Sequence, residues 1–246
     1  MRFTVHILAV FLLLFSFRPV PVIADAKEEE LYKQRMELYK KIERLTFIPW
    51  YYLAAADQYE RNIRSMRKDL PDPEGVAGLL IPQEKWSGLL NPDKKDTNPE
   101  RIRFFEGIGL DANGDGKADP EDDEDVLFSF ANYLLQFGTD HDSIKIGLWN
   151  YYKRDKAVRL IMNYAKLYNT FQTLDLSERH FPLPLHANYS YRSTWGDARG
   201  WGGRRIHEGT DIFAAYGVNV YSTCYGIVEM KGWNKYGGWR IGIRDI

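Results

Sequence analysis

Cysteine is nearly absent: of 246 residues only Cys224 carries a thiol. No intramolecular disulfide can form, so an exported chain of this size relies on its core and on any bound metal. A surplus of charge is lacking too, since 33 basic side chains face 34 acidic ones and the formal net charge is -1. That balance gives no global field for nucleic acid or an anionic membrane surface. Histidine is scarce, at His6, His141, His180, His186 and His207. No apolar run is long enough to span a membrane: the stretch from Ile7 to Phe17 falls short of the roughly 20 residues a spanning helix needs.

What is present begins with that stretch. Met-Arg-Phe, the apolar run and then Val22-Ile23-Ala24 follow the order of a secretory signal, residues 1–24, with no transmembrane segment in the mature chain. Residues 27–45 place Leu31, Leu38, Ile42 and Leu45 at helical spacing and read as a helical lead-in. Ile48-Pro49 opens a second helix with Leu53, Ala56, Glu60 and Ile63 on one face. Residues 69–98 are rich in Pro and Gly and read as loops around Gly78-Leu-Leu-Ile-Pro82. The helical period returns at Leu127, Phe130 and Leu134, and again at Val158, Ile161, Ala165 and Tyr168.

Residues 46–170 therefore form one helical domain. The prolines of Phe181-Pro-Leu-Pro184 stiffen a linker over 171–185. From 186 to 246 glycine recurs, and Val218 to Tyr221, Gly226 to Met230 and Trp239 to Ile243 read as strands. The fold class expected is multidomain α+β, a helical domain followed by an antiparallel all-β one. Seven Trp and sixteen Tyr suit either a large core or stacking on sugar rings.

Two segments carry metal chemistry. If residues 206–212 are extended, His207, Gly209 and Asp211 share a face, and Gly209 leaves room for an ion between imidazole and carboxylate. Such donors suit Zn²⁺. Residues 111–122 place Asp111, Asn113, Asp115, Lys117, Asp119 and Asp122 at positions one, three, five, seven, nine and twelve of a calcium loop, with Gly116 at six. Lys117 would give its backbone carbonyl, and Asp122 stands where Glu is usual, which shortens the bidentate arm. On the second helix, Glu60 shares the apolar face, so burial could keep it protonated as a general acid; a surface pairing with Arg64 is the alternative.

His207-Glu-Gly-Thr-Asp211, followed by Gly217-Val-Asn-Val220 and Gly226-Ile-Val228, resembles the M23 peptidases of the LytM or lysostaphin type. The resemblance implies an exported zinc metalloendopeptidase acting on peptidoglycan in the cell wall. It makes His207 and Asp211 the first zinc ligands, with a later His-x-His supplying the rest. No such motif follows Ile246, so the chain reads either as C-terminally truncated, which the regular strand at 239–244 favours, or as a degenerate, non-catalytic wall-binding or regulatory module. Residues 46–168 resemble lysozyme-like lytic transglycosylases, which implies that Glu60 is the catalytic acid of a domain that binds or cleaves glycan. Arg61 stands where that family has Ser.

Overall fold

The computed structural model describes residues 23–67, 69, 75–200, 204–235 and 238–246. The expected signal lies outside these residues apart from Ile23 and Ala24, which open the first helix. Among the described residues no helix is long and apolar enough to cross a membrane.

Two long helices start the fold, α1 (Ile23–Thr46) and α2 (Trp50–Met66). Phe47 breaks between them in the left-handed region, at φ 59°, and Pro49 then caps α2 from a conformation that its ring already favours. Two short helices, α3 (Gln83–Trp86) and α4 (Pro99–Phe104), interrupt the loops. Three longer ones follow: α5 (Asp123–Leu135), α6 (His141–Tyr152) and α7 (Asp155–Phe171). Asp122 and Asp140 cap α5 and α6 by accepting two backbone N–H groups each. Acidic residues also fill the first turn of α5, where the helix dipole favours them.

The periods read from sequence become the core. Leu127, Phe130 and Leu134 of α5 and Ile161 of α7 are fully buried in one core that also takes in Leu53 and Ala54–Ala56 of α2. Trp86 is buried beneath the 107–109 loop, where a Cβ on Gly109 would stand 2.6 Å from its ring. That close approach requires glycine.

A fully buried carboxylate, Asp57, ties this core together. Its Oδ2 accepts from Arg35 Nη2 at 3.0 Å, Tyr39 Oη at 2.7 Å and Arg61 Nε at 2.9 Å. Its Oδ1 accepts from the amides of Gly78 and Leu79, the latter at 2.7 Å. Every lone pair of the buried charge is used, the condition under which such burial is tolerated. Asp123 likewise receives Val76 N at 2.6 Å and Ala77 N at 3.0 Å. Two helix-borne carboxylates therefore pin segment 76–79 to the helices. Gly78 is needed because a Cβ there would sit 2.3 Å from Arg61 Cγ.

Beyond Phe171 the described strands form three antiparallel two-stranded ribbons. They pair β1 (Tyr189–Arg192) with β4 (Asp211–Ala214), β2 (Ala198–Arg199) with β3 (Arg205–Ile206), and β5 (Gly226–Asn234) with β6 (Gly238–Asp245). The α+β class holds. The expected strand at 218–221 does not form; this stretch is irregular, and Tyr221 N donates to Pro182 O at 2.8 Å.

Candidate functional site

The ladder of β2 and β3 continues past its last strand residues, with Gly196 N donating to His207 O at 2.7 Å and His207 N to Asp197 O at 2.9 Å. This fixes the backbone of His207 at the exit of β3. Asp211 opens β4, in register with Arg192 of β1. Residues 207–210, between β3 and β4, thus form a corner between two ribbons, not the continuous strand expected for 206–212.

The corner still brings the two side chains together: His207 Nε2 lies 3.6 Å from Asp211 Oδ1. Two donors bound to one tetrahedral zinc at about 2.0–2.1 Å stand roughly 3.3 Å apart, so this pair fits a shared ion with little adjustment. Gly209 leaves the space beside it, since a Cβ there would come within 3.4 Å of His207 Nε2. His207 Nδ1 lies 3.0 Å from the Thr194 carbonyl; donating its proton there leaves the Nε2 lone pair facing Asp211.

Two further residues complete the corner. Arg199 Nη2 donates to Asp211 Oδ2 at 3.0 Å and also lies 3.0 Å from His207 Nδ1. Thr194 Oγ1 donates to the same Oδ2 at 3.3 Å. The Asp211 carboxylate is thereby oriented through one oxygen, leaving Oδ1 toward the imidazole. Neither Thr194 nor Arg199 was expected from sequence, because each acts through a loop closure that no spacing reveals. Among the described residues, no three His, Cys, Asp or Glu side chains gather closely enough to hold a metal. Two other described histidines have partners of their own: His141 bonds the Tyr52 hydroxyl at 3.1 Å and His180 pairs with Glu178 at 3.0 Å.

The 111–122 loop turns on its own backbone. Asp111 accepts the amides of Gly114 and Gly116 at 2.7 and 2.8 Å, Asn113 that of Asp115, Asp115 that of Lys117, and Asp119 that of Glu121. Gly114 and Gly116 take φ of 81° and 88°, conformations suited to glycine. Asp122 is occupied in capping α5. Asp125, buried behind the loop, accepts from Ala112 N at 2.7 Å and Asp119 N at 2.9 Å, a role that sequence reading missed.

Glu60 lies on α2 near Tyr152, Arg64 and Lys85. Burial raises its carboxyl pKa and Asp57 adds to the rise, while Tyr152, Arg64 and Lys85 oppose it. Burial also raises Tyr59 and Tyr151 and lowers Lys85. Arg64 Nε and the Tyr151 hydroxyl are buried without a partner among the described residues. Arg61 serves the core instead, bonding Asp57 and the Val76 carbonyl.

Comparison with known proteins supplies one relative of great similarity. The L-Ala--D-Glu endopeptidase of Bacillus subtilis (strain 168) is 59% identical over 240 residues, covering 97% of this chain and 73% of the relative. No family model matches the chain and no solved structure matches it. These findings correct the resemblances drawn from sequence: the chain groups with an L-Ala--D-Glu endopeptidase, in place of the M23 assignment and its lytic-transglycosylase-like companion. The short His-x-Gly-x-Asp pattern was too small a sample of the chain to set the family.

Proposed function

The chain belongs to the family of L-Ala--D-Glu endopeptidases, and from that premise we propose that it hydrolyses the amide joining L-Ala to D-Glu in peptidoglycan, outside the cell membrane. D-Glu linked to L-Ala is the chemistry of the wall's stem peptides, and an N-terminal secretory pattern supports delivery there. The observation that carries the reading is the identity to this relative along nearly the whole chain. The corner at His207 and Asp211 supplies the chemistry.

His207 Nε2 and Asp211 Oδ1 are the donors that would hold Zn²⁺, which when bound polarises a scissile carbonyl and acidifies a water. The protein's own part is orientation. Thr194 O fixes the imidazole through Nδ1, and Arg199 with Thr194 Oγ1 fixes the carboxylate through Oδ2. Such outer contacts raise ligand basicity and keep the donors aimed before substrate arrives. The helical part is assigned the glycan strand, for which it offers Glu60, whose carboxyl pKa burial holds above its ordinary value.

The test is a digest of purified peptidoglycan with zinc present, reading new N-terminal D-Glu. With a third protein ligand completing the pair, wild type should release it, and His207→Ala or Asp211→Ala should abolish both release and zinc uptake measured by titration calorimetry. A wild-type protein that binds wall but frees no D-Glu terminus would identify a non-catalytic wall-binding protein instead.

A further inference from the structure

Facing positions of β2 and β3 are Arg199 and Arg205, direct partners in the register. Side chains of directly opposed residues project from the same face with Cβ atoms about 4.5–5.5 Å apart, and like charges so placed repel. The ladder puts His207, two residues beyond Arg205, on that face as well. Arg199 is engaged by Asp211, but Arg205 is exposed and has no hydrogen bond or ion pair from its side chain among the described residues. Asp197, the acid of the same face, makes no ion pair with either arginine. The neighbouring Arg204 and Arg192 are exposed and equally unpaired among the described residues.

A cation left uncompensated at Arg205, beside the reacting corner, is complementary to an anion that arrives with the substrate. Glutamate on the amine side of the scissile amide brings one. When its chain continues through the side-chain carboxyl, the free carboxylate sits on the carbon next to the scissile nitrogen. A guanidinium presents a planar fork that matches a carboxylate in geometry as well as charge.

We infer that Arg205, with Arg199 opposite, forms a carboxylate clamp that selects glutamate on the leaving side of the scissile bond. Arg205 is the arm that reaches substrate, whereas Arg199 divides its donors between the substrate and Asp211. The inference rests on the endopeptidase reading proposed above. Its own content is the preference for a charged carboxylate over a neutral carboxamide at one position.

The experiment pairs the residue with the group it recognises. Wild type and Arg205→Gln, both full chains with zinc, are given an L-Ala-D-Glu peptide and the same peptide with the free carboxylate converted to a carboxamide. Wild type should favour the carboxylate by about tenfold in kcat/KM, mainly through KM, as expected for a charge-assisted hydrogen bond at a partly exposed site. Arg205→Gln should lose that preference, and Arg205→Lys should keep part of it. Arg205 touches neither His207 nor Asp211, so zinc affinity should be unchanged and reports that the corner is intact. An unaltered preference in Arg205→Gln, or none in wild type, overturns the clamp. If wild type hydrolyses neither peptide, the endopeptidase reading fails by itself and the clamp is judged by equilibrium binding of the same two peptides. Equal affinities in wild type would then overturn it, and a carboxylate preference that Arg205→Gln removes would uphold it.

Discussion

Asp57→Asn alters one atom at a fully buried carboxylate that accepts five hydrogen bonds. The carboxylate uses Oδ2 for three side-chain donors and Oδ1 for two backbone amides. A carboxamide has one acceptor oxygen, so in either orientation its NH₂ must face N–H groups, of Arg35 and Arg61 or of Gly78 and Leu79. The change also strands the Arg35 charge, whose side chain is 4% exposed. Removing one member of a buried ion pair typically costs about 3–5 kcal/mol. For a chain of this length each kcal/mol lowers Tm by roughly 2–4 °C, giving a fall of about 6–20 °C. Thermal unfolding followed by circular dichroism measures it. Hydrogen exchange should show the amides of Gly78 and Leu79 losing protection before those of α7. A fall of less than about 2 °C, with those amides still protected, would refute the claim that this hub organises the helical part.

Glu60 gives a pH prediction. Its folded pKa lies above the ordinary value of 4.5 because of burial, so between the two values the folded state holds the extra proton and stability falls as pH rises. Glu60→Gln should flatten this slope and raise Tm at pH 7 relative to wild type; a parallel Tm profile would count against burial of the charge. At the 111–122 loop, millimolar calcium should raise the Tm of wild type but not of Asp111→Ala, because an ion bound only by the folded form stabilises it. Identical midpoints with calcium and with chelator would leave the loop as a turn held by its own amides.

Much of the helical part was legible because its signals are local. The spacing of Leu127, Phe130 and Leu134 states which face of α5 is buried, and the structure buries all three. The pairing of His207 with Asp211 was legible for the same reason, although its backbone is a corner between ribbons. Asp57 was not. It sits among alanines on an apolar face, and its partners Arg35, Tyr39, Gly78 and Leu79 lie about twenty positions away on either side. Nothing in a local window shows that such a charge will be satisfied. Arg199 escaped for a related reason: its contacts with His207 and Asp211 exist only once β2 and β3 pair. The strand expected at 218–221 shows the opposite error, since alternating apolar residues there met no partner strand.

The segment joining the two parts sets a distance. Prolines stiffen it, and it is also stitched sideways: His180 N donates to Thr223 O at 3.1 Å, Arg179 pairs with Asp245 at 3.0 Å, and the Tyr225 hydroxyl reaches Glu178. Phe171, the last residue of α7, meets Tyr225 edge to face at 4.7 Å. The residues between Phe171 and Glu178 are not slack either: Leu174 is buried in the helical core and Leu176 packs against it. On the function proposed above, a glycan strand held by the helices would be offered to the His207 corner at a fixed spacing. Local concentration at that corner is then governed by the spacing of stem peptides along the glycan more than by diffusion of the wall fragment. Cleavage along one strand should then run in steps matched to that spacing, and a Gly/Ser insert in 172–177, which would lift Leu174 and Leu176 from the helical core, would loosen the stepping without touching the corner itself.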